Sequence, residues 1–195
     1  VVMDRLKGAK VFTKIDLTQY FHQIPMALDS REATTITTRY GNFMWTVVPF
    51  GLANAPAIAQ RIANTLFWDY IDKFIVIFMD DVLVYSDSIE EHEKHLRMVF
   101  DRFREHTLFA HPDKVEMFHK RVEYLGMGLY EDGMFITDQT KEAIRKWEIP
   151  KPNQRNKKGN RKANVDGKTS IRTFLGMVSF FRKFIPRLTE RAYPI

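Results

Sequence analysis

The alternation of apolar and polar positions predicts a chain of mixed strands and helices. Residues 11–17 are rich in β-formers and alternate in part, so they predict a buried strand that ends near Asp16. Two further strands, 34–39 and 42–48, are expected around a turn at residues 40–42. A helix is expected over residues 56–70, because Pro56 suits the first turn of a helix.

The most informative run, residues 74–85, is apolar except for the adjacent pair Asp80 and Asp81. Bulky apolar residues and β-formers lie on both sides of this pair, which predicts a strand, a tight turn and a second strand. Two like charges side by side in apolar surroundings are costly unless a cation compensates them. Because the usual cation for clustered carboxylates is a hard divalent ion such as Mg²⁺, the run predicts a metal-dependent phosphoryl-transfer site.

The second half of the chain predicts further strands and helices. Ser88 and Glu91 form a capping box that opens a helix. Strands are expected at 115–118 and 122–129, a turn at 131–133 and a short helix at 140–147. The apolar stripes at helical spacing are Leu96, Val99, Phe100 and Phe103 in the first helix, and Ile171, Phe174, Leu175, Val178, Phe181 and Ile185 in a last helix that ends at Pro186. Strands and helices mix without strict βαβ alternation, which favours an α+β fold.

Length and composition limit the classes of protein. The 195 residues suit one moderate domain, or one domain with a small appendage. The net charge of +6 makes a polyanionic partner plausible. The absence of cysteine excludes disulfides and cysteine-ligated zinc, and it fits a reducing compartment. No apolar stretch is long enough to predict a membrane span. The chain does not begin with Met, so we expect a piece of a longer chain.

Asp16 ends one β-rich run much as Asp80 ends another. If the two runs are neighbours in one sheet, three carboxylates converge and can hold two Mg²⁺ ions about 3.5–4 Å apart. One ion would activate an attacking hydroxyl, and the other would neutralise a triphosphate. The alternative is an isolated aspartate at a strand end and a solvated Asp-Asp turn.

Several short motifs follow one another along the chain. They are Phe-Thr-Lys-Ile-Asp-Leu at 12–17, His-Gln-Ile at 22–24, Pro-Phe-Gly-Leu-Ala-Asn-Ala-Pro at 49–56, Met-Asp-Asp-Val-Leu-Val-Tyr-Ser at 79–86, His-Pro-Asp-Lys at 111–114, Tyr-Leu-Gly at 124–126 and Phe-Leu-Gly at 174–176. In these motifs and their order the chain resembles reverse transcriptases, specifically those of gypsy-type LTR retrotransposons. The resemblance runs from about residue 6 to the C-terminus and is interrupted by a basic insertion, residues 151–170. It implies a polymerase palm (1–135), an antiparallel sheet with helices on one face, followed by a connection and partial thumb (136–195), with the fingers largely absent.

The resemblance implies a role for individual residues. Asp16, Asp80 and Asp81 would be the catalytic metal ligands, for Mg²⁺ or, as a substitute, Mn²⁺. A ring at Phe21 would clash with a ribose 2′-hydroxyl and favour deoxynucleotides. The residues implied at the dNTP are Leu17, Phe21, Phe50, Gly51 and Lys114. The ordinary alternatives are a core phenylalanine, a turn glycine and a solvated lysine.

The resemblance also implies contacts with primer and template. Tyr124, Leu125 and Gly126 would form the primer grip, while Phe78 and Met79 lie at the catalytic turn. Arg172 and Lys183 could face the duplex backbone in sequence-independent, salt-sensitive contacts. The alternatives are an ordinary hairpin and a solvated helix face. The resemblance implies a tyrosine at position 78, so Phe78 would cost a hydrogen bond worth about 0.5–1.5 kcal/mol.

The expected function is therefore template-directed DNA synthesis by a fragment of a retrotransposon polyprotein. The expected partners are an RNA or DNA template with primer, dNTPs and the rest of the Pol polyprotein, including RNase H and integrase. An intracellular location is expected, in a cytoplasmic retroelement particle or the nucleus. One alternative is a non-catalytic nucleic-acid-binding remnant of a retroelement. A second is an RNA-dependent RNA polymerase palm, against which Phe21 argues.

Overall fold

The structure is a computed structural model that describes residues 6, 8–147 and 167–193. The chain divides into two compact units, one of Val1–Tyr124 with Leu129–Gly133 and the other of Leu125–Gly128 with Met134–Ile195. The strands of the described segments are β1 (Val11–Asp16), β2 (Ile36–Thr38), β3 (Gly41–Phe43), β4 (Ile75–Phe78), β5 (Asp81–Ser86), β6 (Glu116–His119), β7 (Arg121–Tyr124), β8 (Met127–Tyr130) and β9 (Gly133–Ile136). The helices are α1 (Ala55–Leu66), α2 (Ile89–Glu105), α3 (Asp138–Arg145), α4 (Gly167–Phe180) and α5 (Leu188–Ala192).

The first unit is built on a four-stranded sheet in the order β4-β5-β1-β6, and the neighbouring strands in it are antiparallel. Strands β2 and β3 form a separate hairpin, and β7, β8 and β9 form a three-stranded sheet in that order. Strands and helices thus combine as the α+β pattern predicts. No helix in the described segments is both long enough and apolar enough to cross a membrane.

The core lies between one face of the sheet and helices α1 and α2. Because side chains alternate across a strand, Ile15, Val82 and Val84 point to one face, where they are buried. Helix α1 contributes three alanines one turn apart, Ala55, Ala59 and Ala63, which allow close approach. Helix α2 contributes three members of the predicted stripe, namely Leu96, Val99 and Phe103, all buried.

Helix α2 begins as predicted, at the N-cap Ser88. The Ser88 hydroxyl accepts a hydrogen bond from the Glu91 N–H at 3.2 Å. The reciprocal bond of the capping box goes to the residue before the cap, since the Asp87 N–H donates to Glu91 Oε2 at 3.4 Å. The predicted Asp-Asp hairpin is also present, as β4 and β5.

Several element boundaries differ from the prediction. The predicted strands at 34–39 and 42–48 reduce to three residues each, all of them exposed, and Gly41 lies in β3 rather than in the turn. The helix predicted to reach residue 70 ends at Leu66. The single strand predicted at 122–129 is wrong, because Leu125 (φ 49°) and Gly126 (φ 77°) form a left-handed turn between β7 and β8. Strand β9 was not predicted.

The helices of the second unit differ in length from the prediction. Helix α3 begins at Asp138, two residues before the predicted start, with the Thr137 hydroxyl accepting from the Thr140 N–H. The last predicted helix is wrong in its end, because α4 stops at Phe180 and a short 3₁₀ helix, Arg182–Phe184, follows it. Val178 and Phe181 of the predicted stripe are buried. Most of the predicted basic insertion, residues 151–166, lies outside the described residues.

Candidate functional site

The register of the sheet brings Asp16 and Asp81 together. Strands β1 and β5 pair antiparallel with Asp16 directly opposite Asp81. Asp80 is in the turn that joins β4 to β5, and its carbonyl accepts a hydrogen bond from the Leu17 N–H at 2.8 Å. All three predicted metal ligands therefore lie at one end of the central strand pair.

The turn itself is tight and strained. Phe78 and Asp81 close the hairpin as register partners, which leaves Met79 and Asp80 as the two turn residues. Met79 takes a φ of 54°, a left-handed conformation that is unfavourable for a side chain of this size. Such a conformation persists where surrounding contacts hold it.

Two of these contacts come from Gln60 of α1. The Met79 N–H donates to Gln60 Oε1 at 2.8 Å, and Gln60 Nε2 donates to the Ile77 carbonyl at 3.1 Å. A third contact supports the other side of the hairpin, where the Tyr124 hydroxyl donates to the Asp81 carbonyl at 3.1 Å. Burial raises the pKa of Tyr124 well above its usual range, which keeps the hydroxyl protonated as a donor.

Two lysines compensate the carboxylates. Lys14 Nζ lies 3.9 Å from Asp81 Oδ1, and Lys114 Nζ lies 3.4 Å from Asp16 Oδ1. Partial burial raises the pKa of Asp81, the neighbouring charges of Asp80 and Asp16 raise it further, and the two lysines lower it. The carboxylates are thus close enough to repel each other, as a cation-binding cluster requires.

The aspartate side chains as they stand do not enclose a metal ion. Among the described residues, no group of three histidine, aspartate or glutamate side chains has metal-binding geometry. The donor set nevertheless fits a hard divalent cation, since it consists of carboxylates with mutually unfavourable charges. Lysine ammonium groups hold two of these carboxylates at salt-bridge distance.

Aromatic side chains cluster where the nucleotide contacts were predicted. The rings of Phe21 and Phe50 meet edge to face at 5.6 Å, and the His22 ring lies 4.7 Å from Phe50 and stacks on Trp45 at 5.7 Å. Phe50 is 64% exposed, so it is not a core residue. The cluster adjoins a cavity of about 330 Å³ lined by His22, Thr34, Ile36, Trp45, Pro49, Phe50 and Leu52.

The segment that carries Phe21 is attached to α1 through Tyr20. The Tyr20 hydroxyl donates to the Ala59 carbonyl of α1 at 3.0 Å, and burial raises the pKa of Tyr20 to about 12. Leu17 was predicted to contact the dNTP. Its side chain is buried, so only its backbone could make that contact. Gly51 follows Phe50 with a φ of 93°, a conformation that favours glycine.

Lys114 reaches the site through its neighbours in the chain. The His111 N–H donates to the Asp16 carbonyl at 2.8 Å, and Lys114 lies in the 3₁₀ helix Pro112–Lys114 that follows. This link between distant segments explains how a loop lysine comes to pair with Asp16. The spacing of the residues alone could not reveal the pair.

The predicted primer and template residues are distributed over both units. Phe78 is 48% exposed beside the turn that holds Asp80, and Tyr124 lies in the first unit. Leu125 and Gly126 lie in the second unit, where the Gly126 carbonyl accepts from the hydroxyls of Thr137 (3.2 Å) and Thr140 (3.0 Å). Arg172 in α4 and Lys183 in the Arg182–Phe184 helix are exposed in that same unit.

Sequence reasoning missed a buried polar network on the face of the sheet that α2 covers. His92 of α2 joins β1 and β5, with Nε2 2.7 Å from Thr13 Oγ1 and Nδ1 2.8 Å from Ser86 Oγ. Ser86 Oγ also lies 2.8 Å from His95 Nδ1. Gln60 and Lys14 were likewise missed. The position of His92 in the apolar spacing of α2, four residues before Leu96, was the one available signal.

Comparisons with known proteins agree with this geometry. Residues 1–129 match the family described as reverse transcriptase (RNA-dependent DNA polymerase). The whole chain is 31% identical to part of the "Retrovirus-related Pol polyprotein from transposon 297" of Drosophila melanogaster and covers 17% of that protein. It is 28% identical to part of the "Transposon Tf2-3 polyprotein" of Schizosaccharomyces pombe and covers 13% of it.

Solved structures of foamy viral protease-reverse transcriptase share the fold. One, in complex with double-stranded DNA, superposes with a TM-score of 0.74 at 24% identity, covering 99% of this chain and 31% of the other. Another, in complex with an RNA/DNA hybrid, has a TM-score of 0.71 at the same identity and covers 24% of that chain. The fold is thus that of a segment of a larger polymerase chain.

Proposed function

We propose a catalytic role for this chain on one premise: the chain belongs to the reverse transcriptase (RNA-dependent DNA polymerase) family. It spans less than a fifth of the length of the two polyproteins that it resembles, so their complete activities do not pass to it automatically. The proposed function is nucleotidyl transfer from dNTPs to a primer 3′-hydroxyl, directed by a template. The chain would supply the palm and part of the thumb of a retrotransposon polyprotein.

The observation that carries this proposal is the pairing of Asp16 with Asp81 beside the turn that holds Asp80. Two strands far apart in sequence place three carboxylates at one end of a sheet, where repulsion and partial burial raise the pKa of Asp81. A packed core does not need this arrangement. A cation that binds there would offset the repulsion.

Asp16, Asp80 and Asp81 would hold Mg²⁺, or Mn²⁺ in its place. Two such ions, when bound, supply Lewis-acid activation of the attacking hydroxyl and neutralisation of the phosphate charge. Lys14 and Lys114 would release the carboxylates to the ions, and the freed Lys114 ammonium would lie within reach of a triphosphate. Phe21 and Gly51 would bound the sugar of the incoming nucleotide.

The partners proposed for the chain follow from the same premise. A primer on an RNA or DNA template would contact Phe78, Met79 and Tyr124 in the first unit, and Leu125, Gly126, Arg172 and Lys183 in the second. Met79, Tyr124, Leu125 and Gly126 lie in the motifs that carry the family resemblance, and the exposure of Phe78, Arg172 and Lys183 is compatible with contact. The gypsy-type branch and the RNase H and integrase partners stay predictions.

Primer extension on an RNA template with Mg²⁺ tests the proposal. Asp80→Asn should abolish extension while leaving the fold intact, because the variant removes one proposed metal ligand from an exposed turn position. Asp29→Asn, also at an exposed position, is the matched control and should extend as the wild type does. Equal extension by Asp80→Asn and wild type would overturn the catalytic assignment. Ribonucleotide incorporation at the deoxynucleotide rate would point to an RNA polymerase palm.

A second function is favoured by one observation, the engagement of Asp16 and Asp81 by lysines without metal-binding geometry. The chain would then bind duplex nucleic acid without catalysis. Binding that persists in EDTA, together with no extension by any longer polypeptide that contains the chain, would support this reading. Binding that needs a divalent cation would support the catalytic one.

A further inference from the structure

Gln60 of α1 binds the hairpin that carries Asp80 and Asp81, and no motif of the sequence points to it. From this geometry we infer that Gln60 is a positioning residue, which holds the turn in the conformation that the metal ligands require. The inference rests on the proposed metal site. Gln60 would raise the affinity of that site for a divalent cation without touching a metal or a substrate.

The chemistry of the two contacts demands an amide. The Met79 N–H is a donor, so the atom opposite it must accept, and Gln60 Oε1 does so at 2.8 Å. The Ile77 carbonyl is an acceptor, so the atom opposite it must donate, and Gln60 Nε2 does so at 3.1 Å. A carboxylate could accept but not donate, and an apolar side chain could do neither.

A third hydrogen bond orients the amide. Gln60 Nε2 also donates to Asn64 Oδ1 at 2.9 Å, one turn further along α1. Because Gln60 is partly buried and lies on a packed helix, its side chain is held by a rigid element. The helix thus transmits its position to the turn, as residues outside the ligand shell commonly do for metal sites.

One contact of Gln60 is made to the strained residue that directly precedes the proposed metal ligands. Met79 is the strained residue of the turn, with a φ of 54°, and Asp80 and Asp81 follow it directly. Without Gln60, the Met79 N–H loses its acceptor and the turn can relax to an unstrained conformation. That relaxation would reorient the Asp80 carboxylate relative to Asp16 and Asp81, which β1 and β5 hold in register.

The test measures the turn and the metal separately, in the 195-residue chain. Gln60→Met keeps the length of the side chain and removes both contacts. Amide exchange of Met79 should become at least tenfold faster, and the affinity for Mn²⁺ should fall about tenfold. Thr65→Ala, which removes only an exposed hydrogen bond to Arg61 within α1, is the matched control and should leave both values unchanged. Asp81→Asn lacks one proposed metal ligand, so the Mn²⁺ binding that it retains measures binding elsewhere on the protein.

Each outcome has a distinct meaning. If Asp81→Asn loses Mn²⁺ binding while Gln60→Met binds as the wild type does, the positioning inference is overturned and the metal site stands. If Asp81→Asn binds Mn²⁺ unchanged, the proposed metal site is overturned, and Met79 exchange still reports whether Gln60 holds the turn. If Gln60→Met does not fold, Gln60→Asn replaces it, because its amide is one methylene too short to reach both partners. A purely structural role would lower the melting temperature without changing the Mn²⁺ affinity of the folded protein.

Discussion

Asp16 and Asp81 are direct partners across the antiparallel strands β1 and β5, and each carboxylate has a lysine of its own. Lys14 extends from the same strand as Asp16, whereas Lys114 arrives from a loop nearly a hundred residues away. The pair is therefore electrostatically compensated in the absence of a metal. This arrangement makes the lysines competitors of any cation that binds there.

The competition predicts the effect of removing Lys14. Lys14→Met should tighten Mn²⁺ binding about fivefold, because an ammonium group 3.9 Å from Asp81 stabilises the metal-free carboxylate by roughly 1 kcal/mol in this partly exposed setting. Calorimetric titration with Mn²⁺ measures it. Lys10→Met, which loses a pairing with Glu131 elsewhere in the first unit, is the control. Weaker binding by Lys14→Met would show that Lys14 supports the site instead of competing for it.

The buried histidine network predicts a dependence of stability on pH. Burial, with a smaller contribution from the neighbouring His95, lowers the pKa of His92 from 6.5 to about 4. The unfolded chain therefore binds the proton more readily than the folded chain between these two values. The free energy of unfolding should fall by up to about 3 kcal/mol as the pH drops from 6.5 to 4.

Urea unfolding at a series of pH values measures this contribution. His92→Gln should flatten the slope between pH 4 and 6.5, whereas His119→Gln, at an exposed position, should leave it unchanged. The remaining slope will include a contribution from His95. Burial lowers the pKa of His95, and the charges of Glu91 and Asp87 offset only part of this shift. An identical slope in His92→Gln and wild type would show that His92 is not the buried neutral group described above.

Sequence reasoning succeeded where the signal was local. The hairpin of β4 and β5 could be predicted because a continuous apolar run interrupted by two charges has few other solutions. The strand that ends at Asp16 was equally clear. The convergence of Asp16 with Asp80 and Asp81 was predicted only on the condition that the two strands are neighbours in one sheet. The structure pairs these strands, with Asp16 opposite Asp81.

The missed features depend on contacts between distant segments. Gln60 lies 17 and 19 residues from its two partners in the hairpin, so no local pattern reveals it.

The single strand predicted at 122–129 is wrong because Leu125 takes a left-handed conformation, which usually indicates glycine or asparagine. Strands β2 and β3 are short because no core covers them.

The turn at Gly126 gives a third prediction. Gly126 has a φ of 77°, and an added Cβ would lie 2.7 Å from Thr140 Oγ1. Gly126→Ala should lower the free energy of unfolding by roughly 1–3 kcal/mol, since it combines backbone strain with a clash. Gly176→Ala is a matched control, because it lies within α4 with open space around it and should be neutral or stabilising. Equal losses in the two variants would contradict the role of the turn.

The exposed Phe78 gives a fourth prediction. Phe78→Tyr places a hydroxyl beside the turn that carries Asp80, at a position where the family resemblance implies a tyrosine. Its hydrogen bond to a bound duplex should strengthen primer–template binding by about 2- to 10-fold, corresponding to 0.5–1.5 kcal/mol. Fluorescence anisotropy with a labelled primer–template measures the affinity, and Phe43→Tyr, on the exposed strand β3, is the control. Unchanged affinity in Phe78→Tyr would place Phe78 outside the nucleic-acid contact.

The central claim is that Asp16, Asp80 and Asp81 form one site for divalent cations. Mn²⁺ titration of the wild-type chain and of the three single variants Asp16→Asn, Asp80→Asn and Asp81→Asn tests it most directly. Each variant should weaken binding at least tenfold while keeping the wild-type fold, and Asp29→Asn should bind as the wild type does. Wild-type affinity in all three variants would contradict the claim, and with it the proposed catalytic function.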